Sequence, residues 1–346
     1  MNLNHHHSSK LLALLCALSL TSTAAAADTA DEQHLLRLGA EARIDWQEVV
    51  QDGSTSDANS GFYGKFIALR ADGVIGHGFS YSWRQRINRP QSNSSFFDAT
   101  DWLLATYSPT ERFDFSAGKQ IVEIGGWEYD RSPIDLHSCS VFWNNIACYQ
   151  LGASATIHSN AANQFTLQIT QSPMHTALQR NTYAYNAVWR GNYSGFSTIY
   201  SFNLIENPAG NYIQYVALGN KFTAGQFCLE LDLMNRAAKH QAYFLKDCSV
   251  MAELAWRSTN AKWRLHAKFT HDRNTTGTSA DQLVLSGTAL SMLGGGVEYR
   301  PTPTLRLHAT AYHSWGHNAN SADVMQHDGT MIAAGITWSM NLLNLK

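Results

Sequence analysis

Apolar and polar residues alternate one by one along four stretches of the chain. Leu36, Leu38, Ala40, Ala42, Ile44 and Trp46 alternate with Arg37, Gly39, Glu41, Arg43 and Asp45. Phe227, Leu229, Leu231 and Leu233 alternate with Cys228, Glu230, Asp232 and Met234. Trp263, Leu265, Ala267 and Phe269 interleave Arg264, His266 and Lys268, and Leu305, Leu307, Ala309 and Ala311 interleave Arg306, His308, Thr310 and Tyr312. Successive strand side chains point to opposite faces, so a period of two predicts strands with one apolar and one polar face. A helix would scatter these residues around its circumference.

Segments rich in β-branched and aromatic residues between turn signals predict further strands near 61–71, 77–87, 99–108, 113–120, 149–157, 164–171, 183–190, 196–205, 212–222, 249–257, 292–300 and 330–342. With the four clean ones the total is sixteen. Short connections are expected at Asp72-Gly73, Ser108 to Glu111, His158 to Asn160, Gly191-Asn192, Thr223 to Gly225, Ser258 to Asn260 and Pro301 to Pro303. They alternate with longer ones through 48–60, 88–98, 121–148, 172–182, 235–248, 271–291 and 314–329, with 206–211 the short member of that set. Outer-membrane barrels alternate short periplasmic turns with longer outer loops. The pattern therefore predicts an all-β fold, a transmembrane antiparallel β-barrel of about sixteen strands with both termini periplasmic. Aromatics such as Tyr81, Trp83, Trp189, Tyr200, Phe202 and Trp338 suit interface girdles. The competing architecture is a secreted soluble β-sandwich or propeller, which gives no reason for long and short loops to alternate. The chain ends Leu343-Asn344-Leu345-Lys346, without the terminal aromatic of many such barrels, which bears on the register of the last strand.

Composition agrees. Charged residues make up 15% of the chain, against roughly 25% in an average soluble domain. Hydrophobic residues make up 44%, yet the mean hydropathy is negative. After the N-terminus no apolar run approaches the roughly 18 to 20 residues that a spanning helix needs.

The first 27 residues read as an export signal. Lys10 precedes the apolar stretch Leu11 to Leu20, and Ala25-Ala26-Ala27 offers a cleavage site, leaving 28–346 as the barrel. Leu15 before Cys16 is too large for a lipidation site, and His5 to His7 fall in the removed segment. The remaining chain carries 24 basic against 27 acidic residues, a balance that points to no nucleic-acid partner. Cys139, Cys148, Cys228 and Cys248 fit no zinc pattern, so no metal is expected. Cys139 and Cys148 either staple one loop or remain free thiols.

The longest early loop, 121–148, contains Glu123, Gly125-Gly126, Trp127, Glu128, Asp130, Arg131 and Asp135. Phe113 to Gln120 before it, the Gly-Gly step, then Phe142-Trp143-Asn144-Asn145 and Cys148 to Gly152 together resemble the phosphate-selective porin O and P family, in its Bacteroidota-like branch. The resemblance is specific over about 98–157 and continues loosely to Gly335-Ile336-Thr337-Trp338. It implies a sixteen-stranded porin, often trimeric, whose third loop folds into the lumen and forms a constriction. Glu123, Glu128, Asp130, Arg131 and Asp135 are then the candidate constriction residues, or else solvated loop charges. The family's phosphate selectivity does not carry over, because this loop has Arg131 as its only Lys or Arg amid four carboxylates.

Inward parity places Arg37, Arg43, Arg84, Arg86, Arg190, Arg264, Lys268, Arg300 and Arg306 in the lumen, opposed by Glu41, Asp45, Glu230, Asp232, Glu253 and Glu298. These charges either set a field for hydrated solutes or stiffen the wall as salt bridges. The motifs of serine hydrolases, zinc proteases and phosphate-binding loops are absent, and Gly294-Gly295-Gly296 falls at a predicted strand start. The expected function is passive diffusion of small hydrophilic solutes, anions such as phosphate among them, across outer-membrane lipid without cofactor or chemical step. The alternatives are a non-conducting adhesin or scaffold and, further off, an outer-membrane phospholipase.

Overall fold

In a computed structural model, residues 35–89, 97–176, 178–238, 246–275 and 281–346 are described. The expected export segment 1–27 and parts of the connections 88–98, 172–182, 235–248 and 271–291 lie outside them. Among the described residues sixteen strands form the wall: β1 (Leu36–Gln51), β2 (Gly61–Gly76), β3 (Phe79–Arg86), β4 (Thr100–Thr110), β5 (Phe113–Ile121), β6 (Tyr149–Asn160), β7 (Asn163–Gln171) and β8 (Tyr183–Tyr193). The second half comprises β9 (Phe196–Glu206), β10 (Tyr212–Ala224), β11 (Phe227–Ala238), β12 (Asp247–Arg257), β13 (Trp263–Asn274), β14 (Thr288–Thr302), β15 (Leu305–His317) and β16 (Gly329–Leu345). A two-residue strand, Ser54–Thr55, folds back on β1 in the first loop.

Each strand pairs antiparallel with its sequence neighbours, and β16 closes the ring on β1. That seam runs from Leu36 opposite Leu345 to Gln51 opposite Gly329, so the last strand is registered to its end without a terminal aromatic. Closure matters because a backbone amide facing hydrocarbon has no water to bond, and an open sheet edge would leave a row of them.

Burial is inverted relative to a water-soluble protein. On β1, Ile44 is 48% exposed while its neighbours Arg43 and Asp45 are 4% and 1% exposed. The same holds around the ring: Leu103, Leu151, Leu167, Leu231, Leu265 and Leu307 face out, and Gln168, Asn203, Glu230, Lys268, Glu298 and Arg306 face in. An apolar outer band over polar inner positions suits lipid outside and a polar lumen inside. Two aromatic belts edge the band. Phe79 with Tyr107, Phe165 with Trp189, Phe196 with Phe222 and Trp263 with Tyr299 lie near the short-turn end. Tyr185 with Tyr212 and Phe269 with Trp315 lie near the other.

Most of the tight turns fall later in the chain than the sequence suggested. Asp72-Gly73 is not a turn: Asp72 accepts from Arg37 Nε at 3.1 Å across the sheet, and pairing with β3 continues past it. The reversal comes at His77-Gly78, where φ is 51° and 80°. Most other short turns are likewise displaced, by one to a few residues, because strand pairing continues through small polar residues at the edge of the band, whereas Ser258 to Asn260 lies in its turn as expected. Gly294 to Gly296 stand in the middle of β14 rather than at its start.

A charge placed on the outer face tests this orientation. Leu231→Arg is expected to destabilise the folded barrel in lipid vesicles by about 2–4 kcal/mol, measured by denaturant titration. An unchanged midpoint would mean that this face does not meet hydrocarbon.

Candidate functional site

Residues 122–148 leave β5 and return on β6, with three short helical turns at Trp127–Asp130, Pro133–Asp135 and Val141–Asn145. The segment lies inside the barrel, along the inner face from β7 round to β2. Glu123 N donates to Gln168 Oε1 on β7 and Gly125 N to Ser201 Oγ on β9, both at 2.8 Å. Trp127 N and Glu128 N both donate at 2.8 Å to the carboxylate of Asp232 on β11. Val141 N donates to Asp272 Oδ2 on β13, also at 2.8 Å. Two glycines make this close docking possible. Gly126 has φ 108°, and a Cβ on Gly219 of β10 would stand 2.8 Å from the Gly126 Cα.

Every candidate constriction charge meets a partner on the wall. Glu123 and Asp130 both bind Arg190, at 2.9 and 2.7 Å. Glu128 accepts from Lys268 Nζ at 2.6 Å. Arg131 bridges Glu230 and Glu253, the latter at 2.6 Å. Asp135 binds Arg306 at 2.6 Å.

The remaining wall candidates are mostly paired as well. Arg43 binds Asp45 and donates to the carbonyl of Leu136 in the loop. Arg264 binds Glu253 and Glu298, Arg37 binds Asp72, and Glu41 lies 3.9 Å from Arg70. Arg84 binds Asp101 at 2.9 Å, donates to Tyr149 Oη and stacks on Trp102 at 3.8 Å. Arg300, with 42% of its side chain exposed, is 4.0 Å from Glu298. Among the nine bases Arg86 stands apart, packed over the Phe66 ring at 4.0 Å with Asn88 as its polar partner.

Sequence parity missed several participants. A bulge opposite Arg43 and Ile44 leaves Lys65 unpaired in the ladder and turns both Lys65 and Phe66 inward. Lys65 Nζ donates to Gln47 Oε1 at 2.5 Å. An apolar cluster also lies inside the barrel, where Val122, Ile124, Phe142 and Ile146 of the loop meet Ile205, Ile213 and Tyr215 of the wall. A second inward segment joins it: Leu283 and Val284 are buried there, and the neighbouring Asp281 pairs with Arg236 of β11 at 2.7 Å. Ile205 and Ile213 occupy lumen positions and are apolar. That departure from alternation was the readable signal of something packed inside.

The loop divides the lumen into two cavities. One of about 740 Å³ opens toward the long loops and is lined by Lys65, Phe66, Arg86, Arg89, His137 and Trp143 among others. One of about 850 Å³ opens toward the short turns and is lined by Arg37, Asp72, Arg84, Glu123, Asp135 and Arg300 among others. Tyr149 lines both. Cys139 and Cys148 lie on the outer cavity as free thiols, and burial pushes each up to about 12.

Residues 36–201, from the first strand past the inward loop and into β9, match the family model described as phosphate-selective porin O and P. This first half of the barrel is thus that of the family. The match carries no assignment to its Bacteroidota-like branch. No curated protein sequence matches the chain. Among solved structures, an anion-selective porin from Comamonas acidovorans superposes with TM-score 0.64 at 11% identity, over 88% of this chain and 99% of that one. Salmonella typhi OmpF, in complex with daunomycin, gives TM-score 0.62 at 11% identity, over 89% and 98%. A trimer form of OmpT from Vibrio cholerae gives TM-score 0.60 at 9% identity, over 89% and 100%. The fold is thus that of porins at low identity. This porin is an outer-membrane diffusion channel for small solutes, not an enzyme.

Asp232 holds two loop amides, those of Trp127 and Glu128, each at 2.8 Å. Asp232→Ala strands both N–H groups, at about 1–3 kcal/mol each. The expected result is faster hydrogen exchange over residues 125–131 and an altered single-channel conductance. Wild-type exchange there would show that the loop is held by something else.

Proposed function

We propose that the porin prefers anions, and that solutes pass along the β2 to β6 side of the lumen. The observation that carries this is an asymmetry of charge pairing. On the opposite wall Arg190, Lys221, Arg236, Arg264, Lys268 and Arg306 each lie within 3 Å of a carboxylate. In the outer cavity no described carboxylate lies within ion-pair distance of Lys65 or Arg86, whose near partners are Gln47, Asn88 and aromatic rings. Arg89, 3.6 Å from the buried Asp101, adds to the same side. Uncompensated charge at the mouth of a narrow aqueous path raises the local concentration of counter-ions.

In this reading the five loop charges and their wall partners form the fixed side of the constriction. Arg84 and Tyr149, between the two cavities, form the side past which solute moves. Phosphate is a candidate solute, in keeping with the family. The long loops face outward and the short turns the periplasm, residues 1–27 are removed on export, and the assembly is a homotrimer in outer-membrane lipid. The trimer form of the Vibrio relative supports that last point.

Reconstitution into a planar bilayer tests the proposal. A reversal potential in a potassium chloride gradient is expected to have the sign of anion preference. The double variant K65E/R86E is expected to shift it toward cations. Cation preference in the unmodified porin would overturn the reading, and a double variant with unchanged potential would move selectivity elsewhere in the lumen.

A further inference from the structure

Three imidazoles from three elements meet where the tip of the inward loop touches the wall: His137 of the loop, His266 of β13 and His308 of β15. The ring of His137 lies 4.4 Å from that of His308 and 5.7 Å from that of His266, centroid to centroid. The side chains of His137 and His308 are almost wholly buried. The wall is hollowed to receive the group. A Cβ on Gly296 would stand 3.1 Å from His266 Cε1, and one on Gly335 2.8 Å from His308 Cε1.

The hydrogen bonds suit neutral rings. Arg264 Nη1 lies 3.3 Å from His266 Nδ1. A guanidinium only donates, so that Nδ1 must carry a lone pair, and Nε2–H donates to Tyr312 Oη at 3.1 Å. His137 Nε2 faces Glu298 Oε1 at 3.3 Å, and His308 Nε2 faces Asp45 Oδ1 at 3.1 Å. His137 Nδ1 and both ring nitrogens of His308 are buried without a hydrogen-bond partner among the described residues. A second proton on His137 therefore enters at an Nδ1 with no acceptor, and one on His266 points at a guanidinium.

The charges around the cluster come from every side. Arg43 and Asp45 stand on β1, Glu253 on β12, Arg264 and Lys268 on β13, Glu298 on β14, Arg306 on β15, and Arg131 and Asp135 on the loop. Asp45 and Glu298 favour a protonated ring, but each carboxylate is already engaged: Asp45 by Arg43, Glu298 by Arg264, Glu253 by Arg131 and Arg264, Asp135 by Arg306.

We propose that this histidine cluster is an acid-sensitive latch: protonation drives His137 away from His266 and His308, and the loop tip swings into the outer cavity and narrows the path. His137 already lines that cavity, so open space adjoins it on that side. Burial holds His137 well below its ordinary value of 6.5, so the docked loop takes up a proton less readily than a released one. Its contribution to docking is therefore complete above that ordinary value and drains away as the pH falls below it.

The effect on conductance rests on the proposed path, so two readouts are needed. Hydrogen exchange over residues 134–140, corrected for the intrinsic pH dependence of exchange, reports release of the loop whether or not the barrel conducts. Single-channel conductance, corrected for the electrolyte, reports narrowing. Between about pH 7 and about pH 4.5, the porin is expected to lose protection in this segment and to lose conductance. H137Q keeps a side-chain N–H for Glu298 but cannot titrate, and is expected to abolish both changes; H308Q serves the same purpose should H137Q fail to fold. Unchanged protection in the unmodified porin would overturn the latch, as would full acid sensitivity in both variants. Release of the loop without a fall in conductance would refute the narrowing and count against the proposed path. A cation-selective channel with the full acid response would sink the anion preference and leave the latch standing.

Discussion

Everything in this molecule follows from the requirement that no backbone amide be left unpaired in hydrocarbon. Sixteen strands in one ring meet it, because every ladder has a neighbour and β16 returns to β1 along its whole length. Once the ring is closed, the two faces of each strand see different solvents. Leucine, isoleucine and aromatic side chains go outward, and polar side chains are left to share the lumen. The unusual burial of arginine, glutamate and lysine is a consequence of that closure.

The lumen then has to be organised by polar chemistry. Residues 122–148 are fastened by backbone amides on Gln168, Ser201, Asp232 and Asp272 and by ion pairs to Arg190, Lys268, Arg306, Glu230 and Glu253. Buried ion pairs contribute less to net stability than their number suggests, since both partners lose water, but breaking one strands a charge. They act as a register for the loop: each carboxylate accepts one position and penalises others. The apolar cluster of Val122, Ile124, Phe142, Ile205 and Ile213 adds cohesion without direction. Together they hold the loop against one wall, and the proposed solute path runs along the β2 to β6 side, past Lys65, Arg86 and Arg84.

The alternation of Ile44 with Arg43 and Asp45, and of Leu265 with Arg264 and His266, is legible without any tertiary information, because strand geometry alone assigns the faces. So are the number of strands and the order of long and short connections. The turn at Asp72-Gly73 misled because aspartate and glycine favour turns locally, whereas here Asp72 answers an arginine on the neighbouring strand. Lys65 was hidden for a related reason: a bulge changes parity at one residue, and only the register with β1 reveals it. Arg37, Arg264 and Arg306 were recognisable as inward bases. That most of them are neutralised was not, since their partners lie up to 171 positions away in the chain.

By itself, then, the sequence determined a closed antiparallel barrel with a polar interior, an apolar belt and a long third loop, because these depend on periodicity and on spacing between near neighbours. The tertiary structure alone decided which wall that loop rests on, which charges are cancelled, and that His137, His266 and His308 share one site. Those outcomes depend on which strands face each other across the lumen, and a ring of sixteen strands brings together residues that no local pattern connects.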